Sequence, residues 1–225
     1  MQAQLGVLWM YVDIVGKPAH AAYMTSGVSP LDAGLRAIAT VKTLEHEWNL
    51  PENRHPAFRK HKHPINFNVG QLHAGEWNSS VPSVCEVGLR IACYPGTEIA
   101  DLKRIIEARI RASLDQVSGD DLKVSFRYEG FHAPGCEYDL DTEPLQLLAS
   151  THREISGAAP GRLALTGTTD GRHFHKVLDV PVTCYGPMTK NIHGFDECVS
   201  IESMTRVATV FAQFLASWCG VEPLA

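Results

Sequence analysis

The sequence predicts an α+β protein, in which an antiparallel sheet with two helices is followed by an incomplete α/β portion. Strand-like alternation and helical periodicity follow the order β-α-β-β-α-β over residues 5–130. Ala133-Pro134-Gly135 then marks a change in character, and the later residues follow the order αβαβα. The first order is typical of the ferredoxin-like fold, a four-stranded sheet with both helices on one face. We therefore expect domains at 4–132 and 133–225.

The first strand and the first helix are marked by a turn and by a helix cap. Leu5–Val15 is rich in β-branched and aromatic residues and ends at Gly16-Lys17-Pro18, which is typical of a strand entering a turn. Ser29-Pro30 places a capping hydroxyl before a proline at the first helical position. We expect this helix to end near Leu50-Pro51. Its apolar positions are Leu35, Ile38, Ala39, Val41, Leu44 and Trp48.

Three further strands and a second helix complete the first domain. Ile65–Leu72 and Val84–Tyr94 are predicted strands, and the second alternates clearly between apolar and polar positions. The second helix is predicted from Thr97 through about Val117, stopped by Ser118-Gly119-Asp120. A last alternating strand follows at Leu122–Tyr128.

The second domain is predicted to contain three helices and two strands. The helices are expected at Glu143–Ile155, Arg172–Val177 and Ile201–Trp218. A short strand is expected at Leu163–Leu165 and a strand of the buried type at Val180–Tyr185. This arrangement is typical of a piece of a larger parallel sheet.

The composition is that of an ordinary globular chain, and it excludes several classes of protein. Apolar residues make up 44% and charged residues 20% of the 225 residues, so a disordered or fibrous chain is excluded. The net charge of −5 and the pI near 6.1 disfavour a nucleic-acid-binding surface. No apolar run reaches the ~18–20 residues needed to span a bilayer, and no signal peptide is recognisable. The six cysteines include no Cys-x-x-Cys pair, so we expect reduced thiols in the cytoplasm.

Histidine is frequent, with 11 residues, so metal binding has to be considered. His61-x-His63 and His173-x-His175 could clip a metal on a strand but not on a helix, and we interpret both pairs as surface histidines. His193 follows a predicted strand, where the active sites of open α/β sheets lie. Carboxylates three and four residues later could orient its ring, so His193 is the stronger candidate metal ligand.

Several other polar residues lie in predicted turns or strands, and each has a simple structural explanation. Thr166–Gly171 precedes a helix start, where N–H groups and hydroxyls could hold a carboxylate or phosphate; a merely capped helix is the alternative. His20 and Asn78 are most simply turn residues. Arg90 shares a strand face with Glu86, which predicts a surface ion pair.

These motifs occur together and in one order, and nearly the whole chain resembles a family of dinuclear-zinc amidohydrolases. The family includes acetylornithine deacetylase, succinyl-diaminopimelate desuccinylase, aminoacylase and glutamate carboxypeptidase. The matching stretches are Gly16-Lys17-Pro18-Ala19-His20-Ala21, Asn68-Val69-Gly70, Gly75-Glu76-Trp77-Asn78-Ser79-Ser80-Val81-Pro82, Leu89-Arg90, Tyr94-Pro95-Gly96, Gly167-Thr168-Thr169-Asp170-Gly171-Arg172, Tyr185-Gly186-Pro187, His193 and Asp196-Glu197.

The resemblance implies a metal-binding α/β catalytic domain that is interrupted by a ferredoxin-like lid. The lid also dimerises, and its residues reach into an active site, often that of the partner subunit. By this resemblance, His20 and Asn78 are catalytic lid residues that stabilise the tetrahedral intermediate. Arg90 similarly resembles the lid group that holds the substrate, through a carboxylate.

The resemblance also assigns residues and a cofactor to the second domain. Gly167 and Thr168 resemble the catalytic-domain turn that faces the substrate, and His193 resembles the last zinc ligand. The intact family uses two zinc ions per active site, with cobalt as a possible substitute. This sequence has no His-x-Asp and no Glu-Glu dipeptide, which the family uses for other ligands and its general base. We therefore expect a C-terminal portion of such an enzyme, in which a full dinuclear centre does not form alone.

The implied function is metal-dependent hydrolysis of the amide bond of small N-acyl amino acids or related acylated amines. We expect a homodimer joined through the lid, and an isolated chain that lacks turnover and is poorly soluble. The alternative is a non-catalytic dimerisation or binding module derived from such an enzyme. A nucleic-acid-binding ferredoxin-like domain is disfavoured by the acidic pI, and no membrane partner is expected.

Overall fold

The computed structural model describes residues 1–118 and 121–222, which pack as two compact units. The sheet unit comprises Gln4–Cys136 and Leu165–Thr168. The helical unit comprises Met1–Ala3, Glu137–Ala164 and the described chain from Thr169 onward.

The sheet unit is built on four long antiparallel strands. They are β1 (Gly6–Val15), β2 (Phe67–Ala74), β3 (Val84–Cys93) and β4 (Lys123–Arg127). Their spatial order is β2-β3-β1-β4, and the two-residue strand His132–Ala133 pairs with the first half of β1. Alternate side chains of the two central strands are buried on one face of the sheet. These residues are Leu8, Met10, Val12, Ile14, Cys85, Val87, Leu89 and Ile91.

Two helices of 20 residues each provide the other half of this core. Helix α1 (Pro30–Asn49) packs against β1, β2 and β3 and against α2 (Ile99–Ser118). The buried positions recur every three or four residues, which is the spacing of one helix face. They are Ala33, Ala37, Val41, Leu44, Leu102, Ile106, Ile110 and Leu114.

The buried face of α1 differs from the predicted one. Leu35 is 50% exposed, whereas Ala33 and Ala37 face the core. A Cβ atom at Gly34 would lie 2.5 Å from Cys85 Sγ, so the helix approaches β3 more closely than a larger residue allows. Small residues therefore form the contact between α1 and β3, although the hydrophobic pattern alone predicts that Leu35 is buried there.

The predicted start of α1 is confirmed. Ser29 Oγ accepts a hydrogen bond from the backbone N of Asp32 at 3.2 Å, and Pro30 occupies the first helical position. The predicted stop of α2 at Gly119-Asp120 lies outside the described residues.

Short segments connect the long elements. The 3₁₀ turns are Ala21–Ser26, Pro51–Asn53 and Pro56–Phe58. The other two-residue strands are Ala3–Gln4, Ala19–His20, Ser80–Val81, Cys136–Glu137, Ala164–Leu165, Thr189–Lys190 and Cys198–Val199.

The helical unit is organised by contacts between its two long helices. Its helices are α3 (Glu143–Ser156), α4 (Gly171–Lys176) and α5 (Ile201–Cys219), and α3 packs against α5. Tyr185 joins this contact, because its hydroxyl lies 2.7 Å from His152 Nδ1 on α3 and its ring meets the Phe211 ring of α5 edge-on at 5.5 Å.

The predicted strand at Val180–Tyr185 is wrong. Residues 180–185 pair with no other strand among those described, and the Val180 side chain is exposed. A strand of the buried parallel type needs neighbours on both sides, and apolar composition alone does not supply them. None of the described helices is both long and apolar enough to cross a membrane.

Candidate active site

His20 is fixed where the chain leaves β1. Lys17 and Val28 pair through two backbone hydrogen bonds, with N–O distances of 3.0 and 2.9 Å. A Cβ atom at Gly16 would lie 2.3 Å from the carbonyl oxygen of Val28, so this crossing requires glycine. His20 then pairs with Ser80 in a short antiparallel ladder, which holds its backbone from a second side.

The contacts of the His20 ring define its tautomer. Nδ1 accepts a hydrogen bond from the backbone N of Ala22 at 3.1 Å. Because a neutral imidazole carries one proton, that proton lies on Nε2 when Nδ1 is the acceptor. The side chain is exposed, so His20 offers an Nε2–H donor to a ligand.

Asn78 is brought close to His20 by backbone pairing. The backbone N of Ala21, next to His20, donates to the carbonyl oxygen of Ser79 at 2.9 Å. Asn78 is therefore one residue from this hydrogen bond, on the facing segment. Its side chain is exposed and has no hydrogen-bond partner within residues 1–118 and 121–222.

The turn that carries Asn78 is anchored by Glu76. The Glu76 carboxylate accepts a hydrogen bond from the backbone N of Ser83 at 3.3 Å and a second one from the Ser83 hydroxyl. Hydrogen bonding from Ser83 lowers the pKa of Glu76, because it favours the charged carboxylate. The turn begins at Gly75, whose φ of 90° is in the left-handed region that favours glycine.

Arg90 occupies the centre of the sheet, on the face opposite the helices. Its register partners are Asn68 on β2 and Trp9 on β1. The side chain is half-buried, and burial lowers the pKa of Arg90 because desolvation disfavours its charge. In the described part of the chain, the guanidinium has no hydrogen-bond or salt-bridge partner.

The predicted ion pair between Arg90 and Glu86 is wrong. Glu86 Oε2 instead lies 2.5 Å from Nη2 of Arg127, which comes from β4. The same guanidinium binds the Asp13 carboxylate at 2.6 and 3.1 Å and the Glu129 carboxylate at 2.9 Å. The hydrogen bonds that Arg127 donates to Asp13 raise the pKa of Arg127, because they favour its charged form. Because of the strand register, Glu86 pairs with Arg127, which is more distant in the sequence, and not with Arg90.

Gly167 and Thr168 lie in the sheet unit, beside the start of β1. Thr168 Oγ1 accepts a hydrogen bond from Nε2 of Gln4 at 3.0 Å, and Gln4 is fully buried. Because this oxygen accepts, the Thr168 hydroxyl proton is left to donate elsewhere. A Cβ atom at Gly167 would meet only Leu165, at 3.8 Å, so the turn is open there.

His193 lies in the tight turn between the last two short strands of the helical unit. It is exposed and has a φ of 61°, and Asn191 and Asp196 have φ values of 55° and 56°. Such backbone is costly outside glycine and is held only where its surroundings impose it. The Glu197 carboxylate accepts a hydrogen bond from the backbone N of His193 at 3.4 Å. We expected this carboxylate to orient the His193 ring, but it contacts the backbone instead.

The described residues do not by themselves form a metal centre. Within them, no three His, Cys, Asp or Glu side chains come together as metal ligands. His63 contacts the Glu45 carboxylate at 3.0 Å, and the His175 ring packs against Tyr138. Among the described residues, His193 belongs to no group of three such side chains, so these residues do not fit a zinc site without further ligands.

Sequence reasoning missed the residues that surround Arg90. Trp9 and Tyr11 on β1 and Asn68 and Gln71 on β2 line the same recess in the open sheet face. Alternation along β1 indicates that Trp9 and Tyr11 share a face. Their position beside Arg90 depends on the register between strands, which no local pattern specifies.

Residues 2–118 match the family model of the M20 peptidase dimerisation domain. The chain belongs to the M20 peptidase family. The match spans just over half of the chain and includes His20, Asn78 and Arg90.

Two curated relatives agree with this membership. A succinyl-diaminopimelate desuccinylase from Thioalkalivibrio sulfidiphilus is 27% identical over 211 residues, covering 93% of this M20 chain and 51% of that protein. A probable carboxypeptidase from Neosartorya fischeri is 29% identical over 203 residues, covering 88% of this chain and 41% of that protein. The chain thus spans about half the length of the curated relatives that it matches.

Solved structures show the same mixed α/β fold. A tripeptidase from Staphylococcus aureus superposes with a TM-score of 0.73 at 16% identity, covering 95% of this M20 chain and 52% of that structure. A dipeptidase from Saccharomyces cerevisiae superposes with a TM-score of 0.71 at 12% identity, covering 99% of this chain and 56% of that structure.

Proposed function

We propose that this M20 chain carries two parts of a metal-dependent amide hydrolase: the ferredoxin-like lid and dimerisation domain (4–132) and the C-terminal part of the α/β catalytic domain (133–225). The antiparallel strand order β2-β3-β1-β4 supports the ferredoxin-like assignment. The substrates are small N-acyl amino acids or related acylated amines. The observation that carries the proposal is the backbone pairing that sets His20 and Asn78 on neighbouring segments.

His20 and Asn78 are the catalytic residues of the proposal. When an amide is attacked, negative charge develops on its carbonyl oxygen, and fixed hydrogen-bond donors lower the energy of that state. The Nε2–H of His20 is already set by the contact of Nδ1 with Ala22, so little reorganisation is needed. The side-chain amide of Asn78, which is exposed and makes no hydrogen bond to the described residues, supplies a second donor.

Arg90, Gly167 and Thr168 bind the substrate in this proposal. A guanidinium offers paired N–H groups that match a carboxylate, and no carboxylate of the described residues pairs with Arg90. The Thr168 hydroxyl donates to the substrate because its oxygen is already occupied by Gln4. Gly167 leaves the turn open for close approach of the substrate.

Zinc is the proposed cofactor, two ions per active site, with cobalt as a possible substitute. His193 would contribute one ligand, because it is exposed in a strained turn that holds its backbone. The remaining ligands are not among the residues described, so no reaction step is assigned to the metal.

The test is hydrolysis of N-acetyl and N-succinyl amino acids by the complete gene product and by the 225-residue chain, each with added zinc. We expect the complete gene product to release the free amine and the 225-residue chain to release none. Absence of hydrolysis by the complete gene product would overturn the proposal. Turnover by the 225-residue chain alone would show that its own residues suffice for the metal centre.

The second candidate function is a non-catalytic dimerisation module, which the description of the matched family model favours. Strand β2 lies at the edge of the sheet and is exposed over most of its length, so a second copy could pair with it. Light scattering after gel filtration would then give twice the chain mass of 24.7 kDa. A dimer without hydrolysis by the complete gene product would favour the module, and a strict monomer at high concentration would exclude it.

A further inference from the structure

A recess in the open face of the sheet surrounds the Arg90 side chain. Across the strands, Asn68, Arg90 and Trp9 form one row, and Gln71, Gly88 and Tyr11 form the next. With Gly70 and Leu89, these six residues line a recess of about 200 Å³, which we call the Arg90 recess. A cavity of about 150 Å³ can hold benzene, so the recess can accept a group of that size.

The recess carries a positive charge that none of the described side chains neutralises. No carboxylate is among its lining residues, and the nearest one along β3, that of Glu86, is held by Arg127. Arg127 lies on the same open face and binds three carboxylates, whereas Arg90 has none within the residues described. Half-buried charges are normally paired, so the isolated guanidinium indicates a site for an external anion.

Trp9 forms a flat apolar wall beside this charge. Its side chain is 44% exposed although it lies in the middle of the sheet. The other edge of the indole is held by Gly130, where a Cβ atom would lie 2.6 Å from Cε3 of Trp9. Gly130 has a φ of 89°, so both its conformation and its lack of a side chain are needed for this contact. Contact with Gly130 thus fixes the indole in place, and the rest of the indole is open to a ligand in the recess.

One side-chain amide in each row adds hydrogen-bond donors to the recess. The side-chain amides of Asn68 and Gln71 are exposed, and within the described chain neither has a hydrogen-bond partner. The ring of Tyr11 leans over Gly88, where a Cβ atom would lie 3.1 Å from its Cε1, and the guanidinium of Arg127 stacks on this ring at 4.8 Å. The polar groups of the recess are therefore placed to donate hydrogen bonds to an anion.

We infer that Trp9 is a specificity-determining residue of the Arg90 recess: it selects substrates in which the carboxylate already assigned to Arg90 is carried next to a planar apolar group. An N-acylated aromatic amino acid has this chemistry, since its carboxylate and its ring are separated by a few bonds. The inference deepens the proposed function, on which its assignment to a substrate rests. The carboxylate pairs with Arg90 through parallel hydrogen bonds, and the ring stacks on Trp9.

The test is to measure, by titration calorimetry, the affinity of the 225-residue chain for three probes. The probes are N-acetyl-L-phenylalanine, its uncharged carboxamide and N-acetyl-L-alanine. We expect the phenylalanine acid to bind about tenfold more tightly than either other probe, because only it can use both the charge and the ring. Equal affinity for the acid and its carboxamide would overturn the inference without any variant being made.

Two variants with matched controls assign the binding to the recess. Arg90→Gln should weaken the phenylalanine acid about tenfold, and Trp9→Leu should weaken it about fivefold while leaving the alanine acid unchanged. Arg104→Gln and Trp218→Leu remove exposed residues of the same types elsewhere and should bind as the parent does. Unchanged affinity in Arg90→Gln, or equal losses in the controls, would contradict the site.

This binding test and the hydrolysis test can fail separately. Probe binding that depends on Arg90 and Trp9, without hydrolysis by the complete gene product, leaves the recess established and removes the proposed function. Hydrolysis of N-acyl amino acids without any preference for aromatic acids over their carboxamides removes the recess as a specificity site.

Discussion

The contact between α1 and the sheet can be tested by adding a single methyl group. Gly34→Ala places a Cβ atom 2.5 Å from Cys85 Sγ, although a normal contact of this kind is near 3.5–4 Å. Cys85 is buried in a packed core, so either its side chain or α1 must shift to make room. Overpacking of this kind costs about 1–3 kcal/mol, and replacing a helical glycine by alanine regains about 1 kcal/mol. We expect a net loss of about 0–2 kcal/mol in the free energy of unfolding, and no gain.

Removing the clashing sulfur should reverse the sign of this effect. In a Cys85→Ala background, the nearest remaining side-chain atoms to the new methyl group are Cγ2 of Val87 at 3.4 Å and the Cβ of residue 85 at 3.8 Å. Gly34→Ala should then stabilise the chain by up to about 1 kcal/mol through helix propensity. Urea unfolding followed by circular dichroism measures the four variants of this cycle. Gly161→Ala, at a glycine with open space around it, should change stability by less than about 0.5 kcal/mol. A stabilising Gly34→Ala in the parent chain would refute the close contact.

Two further predictions concern titrating groups. Burial raises the pKa of Cys93 to about 11 and also raises that of Cys85, so a disulfide reagent at pH 8 should modify only exposed thiols in the native chain and all six in denaturant. Rapid native reaction of more than three thiols would contradict this burial. Because hydrogen bonds from Ser83 lower the pKa of Glu76, Ser83→Ala should raise that pKa, which an NMR titration measures. In the parent chain, this contact stabilises the turn fully at pH values above 4.5, the ordinary pKa of the group. The stabilisation is lost as the pH falls through the lowered pKa of Glu76. An unchanged Glu76 titration in Ser83→Ala would contradict the hydrogen bond. In the thiol experiment, the cysteines expected to react in the native chain are the exposed ones, Cys184, Cys198 and Cys219.

Elements that depend on local pattern were predictable from the sequence. β-Branched and aromatic composition before a turn identifies β1, and alternation identifies β3, because one face of that strand is buried and the other is open. The cap at Ser29 and the following proline identify the start of α1 to the residue. Both signals are carried by residues close together in the chain, so no knowledge of the partner elements is needed.

Features that depend on partners distant in the sequence were not predictable. Residues 180–185 have the composition of a buried strand, yet a strand forms only where another backbone completes its ladder. The expected pair of Arg90 with Glu86 fails because Arg127, 41 residues from Glu86, takes that carboxylate. The neighbours of Arg90 in the recess follow from the same register.

The central claim is that His20 and Asn78 stabilise charge during amide hydrolysis, and kinetics of single variants test it most directly. In the complete gene product with zinc, His20→Ala and Asn78→Ala should each lower kcat for an N-acetyl amino acid about 10²–10³-fold with little change in KM, because the lost donors act in the transition state. His46→Ala, an exposed histidine on α1, should leave both constants unchanged. If His20→Ala and Asn78→Ala turn over as fast as His46→Ala, neither residue takes part in the reaction and the claim is wrong.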